Sequence, residues 1–342
     1  MRRIFLWLLI LLPASRLLAQ PQKIEPKLFF ADTTMLEVTV ETNIRQLLGK
    51  KLKEGLLFPA VFKMTLPDGT EIREPIQLEV RGHFRRETCY IPPLKLRFKN
   101  EKAPFLSPLK SLKLVNPCDK KTAYNEYLLK EYLIYKIYNL FTDMSFRARL
   151  LHITYVDNAS QKVFLTSHSF LLEDLDDLAK RNGCREVKRN LPHSESTNRN
   201  MAGLVYVFQY MIGNTDWSIP VQHNIKFIGP REDTTGAPFP VPYDFDHAGF
   251  VDAGYALPNE MLPISSVTER LYRGFPRSME ELEQIAHVFN DKQQAIYDLI
   301  GNFELLPENS RKNLINYLKP FFQTLNDPRR VRMEFINSAR SY

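Results

Sequence analysis

The stretch Met211-Ile212-Gly213-Asn214-Thr215-Asp216-Trp217, followed by His223-Asn224-Ile225-Lys226-Phe227-Ile228 and, after a turn-rich insert, Val241-Pro242-Tyr243-Asp244-Phe245-Asp246-His247, decides how this chain is read. An apolar helix should run into Asn214 and Asp216, a short strand should begin beside Asn224, and a second strand should end on Asp244 and Asp246. Oxygen-bearing side chains then collect at element ends, where a rigid scaffold offers polar groups to a cleft. Asp244 and Asp246 flank one aromatic residue, so an extended backbone would turn both carboxylates to the same face. Burying them without a cation is costly, which argues for a metal or a basic partner. The plainer reading of Asp216 is a residue in the loop after a helix, and of Asn224 a turn former; His223 and His247 read first as packing or hydrogen-bonding histidines.

Around this centre, the ends of the chain differ in character. Arg2 and Arg3 precede an apolar run at 4–12, and small residues follow as far as Ala19. This is the pattern of a signal peptide over residues 1–19, cleaved near Ala19 to leave an exported, periplasmic or secreted protein. The run is too short for a membrane anchor, so no integral anchor is expected. The formal charge of +7 falls to +4 without Arg2, Arg3 and Arg16, an excess too weak to argue for nucleic acid. Hydrophobic and charged contents of 44% and 25% are those of an ordinary globular chain. Three cysteines enter an oxidising compartment. Cys89 and Cys118 flank one candidate strand pair and are expected to form a disulfide, with Cys184 left in a polar loop.

Residues 36–42, 58–66, 71–80, 94–98 and 109–116 alternate apolar and polar side chains, and Pro67-Asp68-Gly69-Thr70 marks a hairpin. They predict a small antiparallel sheet. Residues 122–141 switch to a helical period with interleaved tyrosines; Glu126 and Glu131 read as a solvated helix face. A further hairpin over 149–156 and 162–173 and a buried helix over 201–212 complete the first two-thirds, and amphipathic helices over 280–300, 307–324 and 328–338 form the tail. The segment 81–86 reads as a basic loop.

The ordered motifs Gly213-Asn214-Thr215-Asp216, His223-Asn224 and Asp244-Phe245-Asp246, with weaker matches at Val80-Arg81-Gly82, at 92–98 and at Phe170-Leu171-Leu172-Glu173, resemble the CotH-type kinases, relatives of spore-coat protein H. The resemblance implies an α+β, two-lobed, atypical protein-kinase-like fold, with an antiparallel β-rich N-terminal lobe over 20–182 and a mostly helical C-terminal lobe over 183–342. It implies a metal-dependent phosphotransferase that takes Mg or Mn and ATP, and acts on a protein or other exported acceptor. Asp216 would be catalytic, Asn224, Asp244 and Asp246 would hold the metal, and Lys95 and Arg81 would contact the nucleotide. The chain departs from the family where His83-Phe84-Arg85-Arg86 replaces a Gly-Asn-Ser-Ser-like run, and in the long interval from Asp216 to Asn224. Two other classes stay open: a metal-dependent phosphoester hydrolase using His223, Asp244, Asp246 and His247, and a non-catalytic cell-envelope binding protein.

Overall fold

A computed structural model describes residues 23–340 except 54, 67, 83, 99–104, 189, 192 and 234; the expected signal peptide lies outside the described residues. Seven strands, β1 (Leu36–Thr42), β2 (Leu57–Thr65), β3 (Glu71–Val80), β4 (Leu94–Arg97), β5 (Ser111–Val115), β6 (Ala148–Asp157) and β7 (Val163–Leu172), close into a barrel of order β1-β2-β3-β4-β5-β7-β6. Strict alternation puts one side-chain set inside. Val38, Val40, Phe62, Leu78, Leu96, Leu114 and Ile153 are all buried there. Glu74 is also buried, and its carboxylate accepts the backbone N–H groups of Phe105 and Leu106 at 2.8 Å each, so its oxygens are satisfied by the segment ahead of β5.

Closure comes from β1 pairing in parallel with β6, Leu36 opposite Leu151 through Thr42 opposite Asp157. A parallel pair needs a long crossover, and this one runs through β2 to β5 and the helix α4 (Thr122–Tyr138). The expectation of a two-lobed protein-kinase-like fold with a small antiparallel lobe is therefore corrected. The hairpin of β6 and β7 supplies two staves of a closed seven-stranded barrel. Local alternation marks each strand but carries no information about a partner more than a hundred residues away.

The outer faces of β6 and β7, at Ala148, Leu150, Phe170 and Leu172, are buried against α4 in a second core. That core continues through α6 (Arg199–Met211), α7 (Met279–Gly301) and α8 (Glu308–Leu325). A three-stranded antiparallel sheet, β10 (Phe239–Pro242), β9 (Ile225–Pro230) and β8 (Cys184–Glu186), lies beside them. Short helices α1 (Pro26–Ala31), α2 (Ile44–Gly49), α3 (Phe84–Thr88), α5 (Leu175–Arg181) and α9 (Pro328–Arg332) complete the nine α-helices among the described residues. The tail helices fall where their amphipathic periods put them, α7 opening on a capping box between Ser278 and Glu281. Cys184, expected in a loop, is a buried free thiol at the start of β8. Among the described residues no helix is long and apolar enough to cross a membrane.

Candidate functional site

The chain leaves α6 through Gly213, whose φ of +63° suits a residue without a side chain; a Cβ there would also collide with the Tyr317 hydroxyl. The next residue, Asn214, is buried and serves as a clamp. Its Nδ2 donates to Gln209 Oε1 (3.0 Å), its Oδ1 accepts the Asp216 N–H (2.9 Å), and its carbonyl accepts the Trp217 indole N–H (3.1 Å). Arg273 donates to the carbonyls of Thr215 and Trp217. Thus Asp216 stands on a loop fixed from both sides.

Its carboxylate is shared by two neighbours. Oδ1 lies 2.8 Å from His223 Nε2, and Oδ2 accepts from Asn224 Nδ2 at 3.0 Å. Asn224 Nδ2 also donates to the Asp216 carbonyl at 2.8 Å. Asn224 is itself left-handed, with φ of +53°, a conformation that asparagine tolerates better than most residues. Asp216 and His223 remain half open to a cleft of about 540 Å³ lined also by Ser218, His247 and Arg273.

The Asn224 carbonyl accepts the Tyr243 N–H at 3.0 Å and so ties this loop to the second motif. β10 ends at Pro242, two residues short of Asp244, which corrects the expected strand end on the two acids. Asp244 has φ of +63°, and its N–H donates to the Tyr135 hydroxyl at 2.9 Å. Phe245 is fully buried, edge-on to Tyr135. Asp246 is also buried, accepting from the Tyr255 hydroxyl (3.1 Å) and facing Arg85 at 3.5 Å. Burial, then the neighbouring Asp244 charge, push its carboxyl above the ordinary range, against Arg85.

Glu131 is the acid that the sequence reading assigned to a solvated face and the structure places among the candidate residues. It is 2% exposed rather than solvated, and only Glu126 of the pair reaches the surface, where it pairs with Lys130. Burial, followed by the Asp246 and Asp244 charges, raises the Glu131 carboxyl well above the usual value. Among the described residues its Oε1 has no hydrogen-bond partner. A lone acid on an otherwise aromatic helix stripe was the available signal.

Basic groups surround these acids. Arg81 follows β3, donates from Nε to the Leu94 carbonyl at 3.2 Å and lies in the field of Asp244. Lys95 sits opposite Lys113 across β4 and β5, and both line a cleft of about 300 Å³ with Lys226, Leu172, Glu173 and Glu186. Lys113 Nζ lies 4.6 Å from the centre of the Tyr243 ring and Lys226 Nζ 5.8 Å from the same ring. Burial, then the charge of Arg81, lower the Lys113 pKa to about 8. Glu173 is already claimed by Arg181 at 2.8 Å. The supposed basic loop is in part the helix α3, whose Arg85 reaches the Asn116 carbonyl (2.9 Å) as well as Asp246.

The disulfide between Cys89 and Cys118 is present, with Cα atoms 4.5 Å apart, and fastens α3 to the chain just after β5. The structure thus joins Asp216 directly to Asn224, ties Asn224 by one backbone hydrogen bond to Tyr243, the residue before Asp244, and sets Arg81 in the field of Asp244. Asp246 turns instead toward Arg85 and Tyr255. Lys95 belongs to the neighbouring cleft of mixed charge, where Lys113 and Lys226, which sequence reading did not single out, join it beside Glu173, Asp174, Asp176 and Glu186. Among the described residues no group of three or more His, Cys, Asp or Glu side chains is arranged to hold a metal ion by itself. Comparison of the chain with protein-family models and with curated proteins finds no match.

Proposed function

We propose that this protein is a phosphotransferase that moves a phosphoryl group from a nucleotide, with ATP as donor, to a hydroxyl of a protein or other exported acceptor. The observation that supports it most is the double hydrogen bond from Asn224 Nδ2 to Asp216. It aims one carboxylate at an open cleft and leaves the amide oxygen as the Asn224 atom suited to a cation, the division of labour that phosphoryl-transfer sites use.

Magnesium asks for only one or two protein carboxylates, taking its other oxygens from water and phosphate. Half-buried Asp244, whose charge acts on buried Glu131, and Asn224 fit so sparse a set. Asp246 fits it less well, being held by Arg85 and Tyr255. A cation bound by Asp244 and Asn224 would offset the negative charge of the phosphates. Lys95, Lys113 and Arg81 would hold phosphate oxygens, Arg81 through its forked donors. Asp216 would take the acceptor proton at Oδ2, with His223 fixing its other oxygen. The disulfide supports work in an oxidising compartment, periplasmic or secreted.

The contact between Asp216 and His223 also suits activation of water, which keeps phosphoester hydrolysis as the second reading. Titration of ATP with and without magnesium, coupled to separate readouts of acceptor labelling and phosphate release, tests both. Transfer expects binding that requires magnesium and is abolished by Asp244→Ala. Nucleotide binding indifferent to the metal, or phosphate release with no need of nucleotide, would refute it.

A further inference from the structure

We propose that His152 and His168, on the outer wall of the barrel and remote in sequence from the acidic motifs, form a binding site for a late first-row divalent cation, Cu2+ or Zn2+. Glu37, His152 and His168 stand in one row across three adjacent strands, Glu37 paired with His152 in β1 and β6, and His152 paired with His168 in β6 and β7. The alternation that buries Leu151 and Ile153 in the barrel turns His152 outward.

The hydrogen bonds on the ring nitrogens fix which atoms are free to bind. His152 Nδ1 lies 2.8 Å from Glu37 Oε2, an atom that can only accept from it while the carboxylate is ionised. His168 Nδ1 lies 3.2 Å from Asn125 Oδ1. That Asn125 atom also accepts the His168 backbone N–H at 3.1 Å, which identifies it as the amide oxygen, so the imidazole must be the donor. Both rings therefore carry their proton on Nδ1 and present a lone pair at Nε2. This is how metal-ligating histidines are prepared, the far nitrogen being held by a carboxylate or a carbonyl-type oxygen.

Ring spacing agrees. Imidazole nitrogens bind such ions at about 2.0–2.1 Å, and the ring centre lies about 1.1 Å further on, so two ligands at tetrahedral to trigonal angles have centres roughly 5.2–5.5 Å apart. The two rings here are 5.5 Å apart at an interplanar angle of 45°. Burial and the proximity of His152 also keep His168 below the ordinary histidine value, favouring the neutral ring that binds metal. Glu37 offsets cationic charge from one position further out. Two nitrogens from imidazole select copper or zinc over magnesium or calcium, and water completes the coordination.

The test uses untagged protein titrated with Cu2+ and with Zn2+ by calorimetry, with electron paramagnetic resonance of the copper form to count bound nitrogens. Wild type should take up one Cu2+ with two imidazole nitrogens. His152→Gln and His168→Gln should each lose one nitrogen and weaken binding by at least about 10-fold, while Glu37→Gln should weaken it by about that factor with both nitrogens retained. His223→Gln should leave the two-nitrogen signal unchanged. Melting curves establish that the variants fold, and either histidine variant suffices if the other does not. Copper bound through fewer than two nitrogens, or equal affinity in wild type and a folded histidine variant, would overturn the site.

Discussion

Breaking the Cys89–Cys118 link gives the most quantitative check on how the candidate site is held. The cysteines are 29 residues apart in sequence. Closing a loop of that length in the unfolded chain should stabilise the native state by about 3.5 kcal/mol in the chain-entropy treatment. A chain of 342 residues unfolds with an entropy of roughly 0.7 kcal/mol per kelvin, so a Cys89→Ser, Cys118→Ser double variant should melt about 5 °C lower. The bridge fastens the segment that carries Arg85 to the end of β5, and Arg85 is the cation facing Asp246. Reduction should therefore also loosen this ion pair and weaken nucleotide binding, if the proposed site is right, by more than stability alone requires. Differential scanning calorimetry of wild type with and without a phosphine reductant, beside the double variant, measures the first effect. A melting temperature unmoved by reduction, or peptide mapping that finds free thiols at both positions in protein isolated from its native compartment, would refute the reasoning.

Asp216→Ala should leave nucleotide binding nearly intact while lowering transfer about 100-fold or more, the scale of a positioned acid-base group; equal loss of binding in this variant and Asp244→Ala would remove the division of roles. Lys113, with its pKa lowered to about 8, loses its charge as pH rises through that value. Pyrophosphate affinity should fall between pH 7 and 9 in wild type, less steeply in Lys113→Met, and an unchanged slope in the variant would count against phosphate binding at Lys113. Glu131 has a raised carboxyl, so it detracts from stability as pH climbs above the ordinary glutamate range toward the folded value. Glu131→Gln should flatten that part of the stability profile in denaturant titrations, and an unaltered profile would mean that the acid is not titrating there. Gly213→Ala places a side chain at φ of +63° against Tyr317, and should cost at least about 1 kcal/mol by urea unfolding.

Much of the secondary structure was legible because its cues are local. β1 and β3 fall on their alternating runs, and α4, α6, α7 and α8 on their helical periods. The short helices α1 to α3 escaped because five or six residues carry too little periodic signal, and β8 because three residues of strand look like loop. The barrel escaped for another reason: its closure depends on a parallel pairing that no neighbouring turn announces. Among the candidate residues, Asp216 and Asn224 do meet, as their placement beside element ends suggested, whereas Asp244 lies two residues past the strand expected to end on it. Glu131 was not legible, since only tertiary packing decides that an acid on α4 faces Asp246 instead of water. Lys113 and Lys226 were hidden similarly, each reading as an ordinary lysine on the polar face of a strand until Tyr243 comes between them.

The β1–β6 seam imposes an order on how the chain can acquire its shape. Glu37 and His152, neighbours across that seam, are 115 residues apart along the chain, so β1 must wait for all of α4 and the start of β6 to be made before its second edge is covered. Loop closure over such a span comes late and favours slow folding. In the interval, β1 and β2 form a hairpin with one open edge and an apolar face, the arrangement most prone to pair with another chain. Nascent or newly translocated protein halted before residue 148 should consequently be the aggregation-prone species, and the completed barrel, with no free edge in this sheet, its cure.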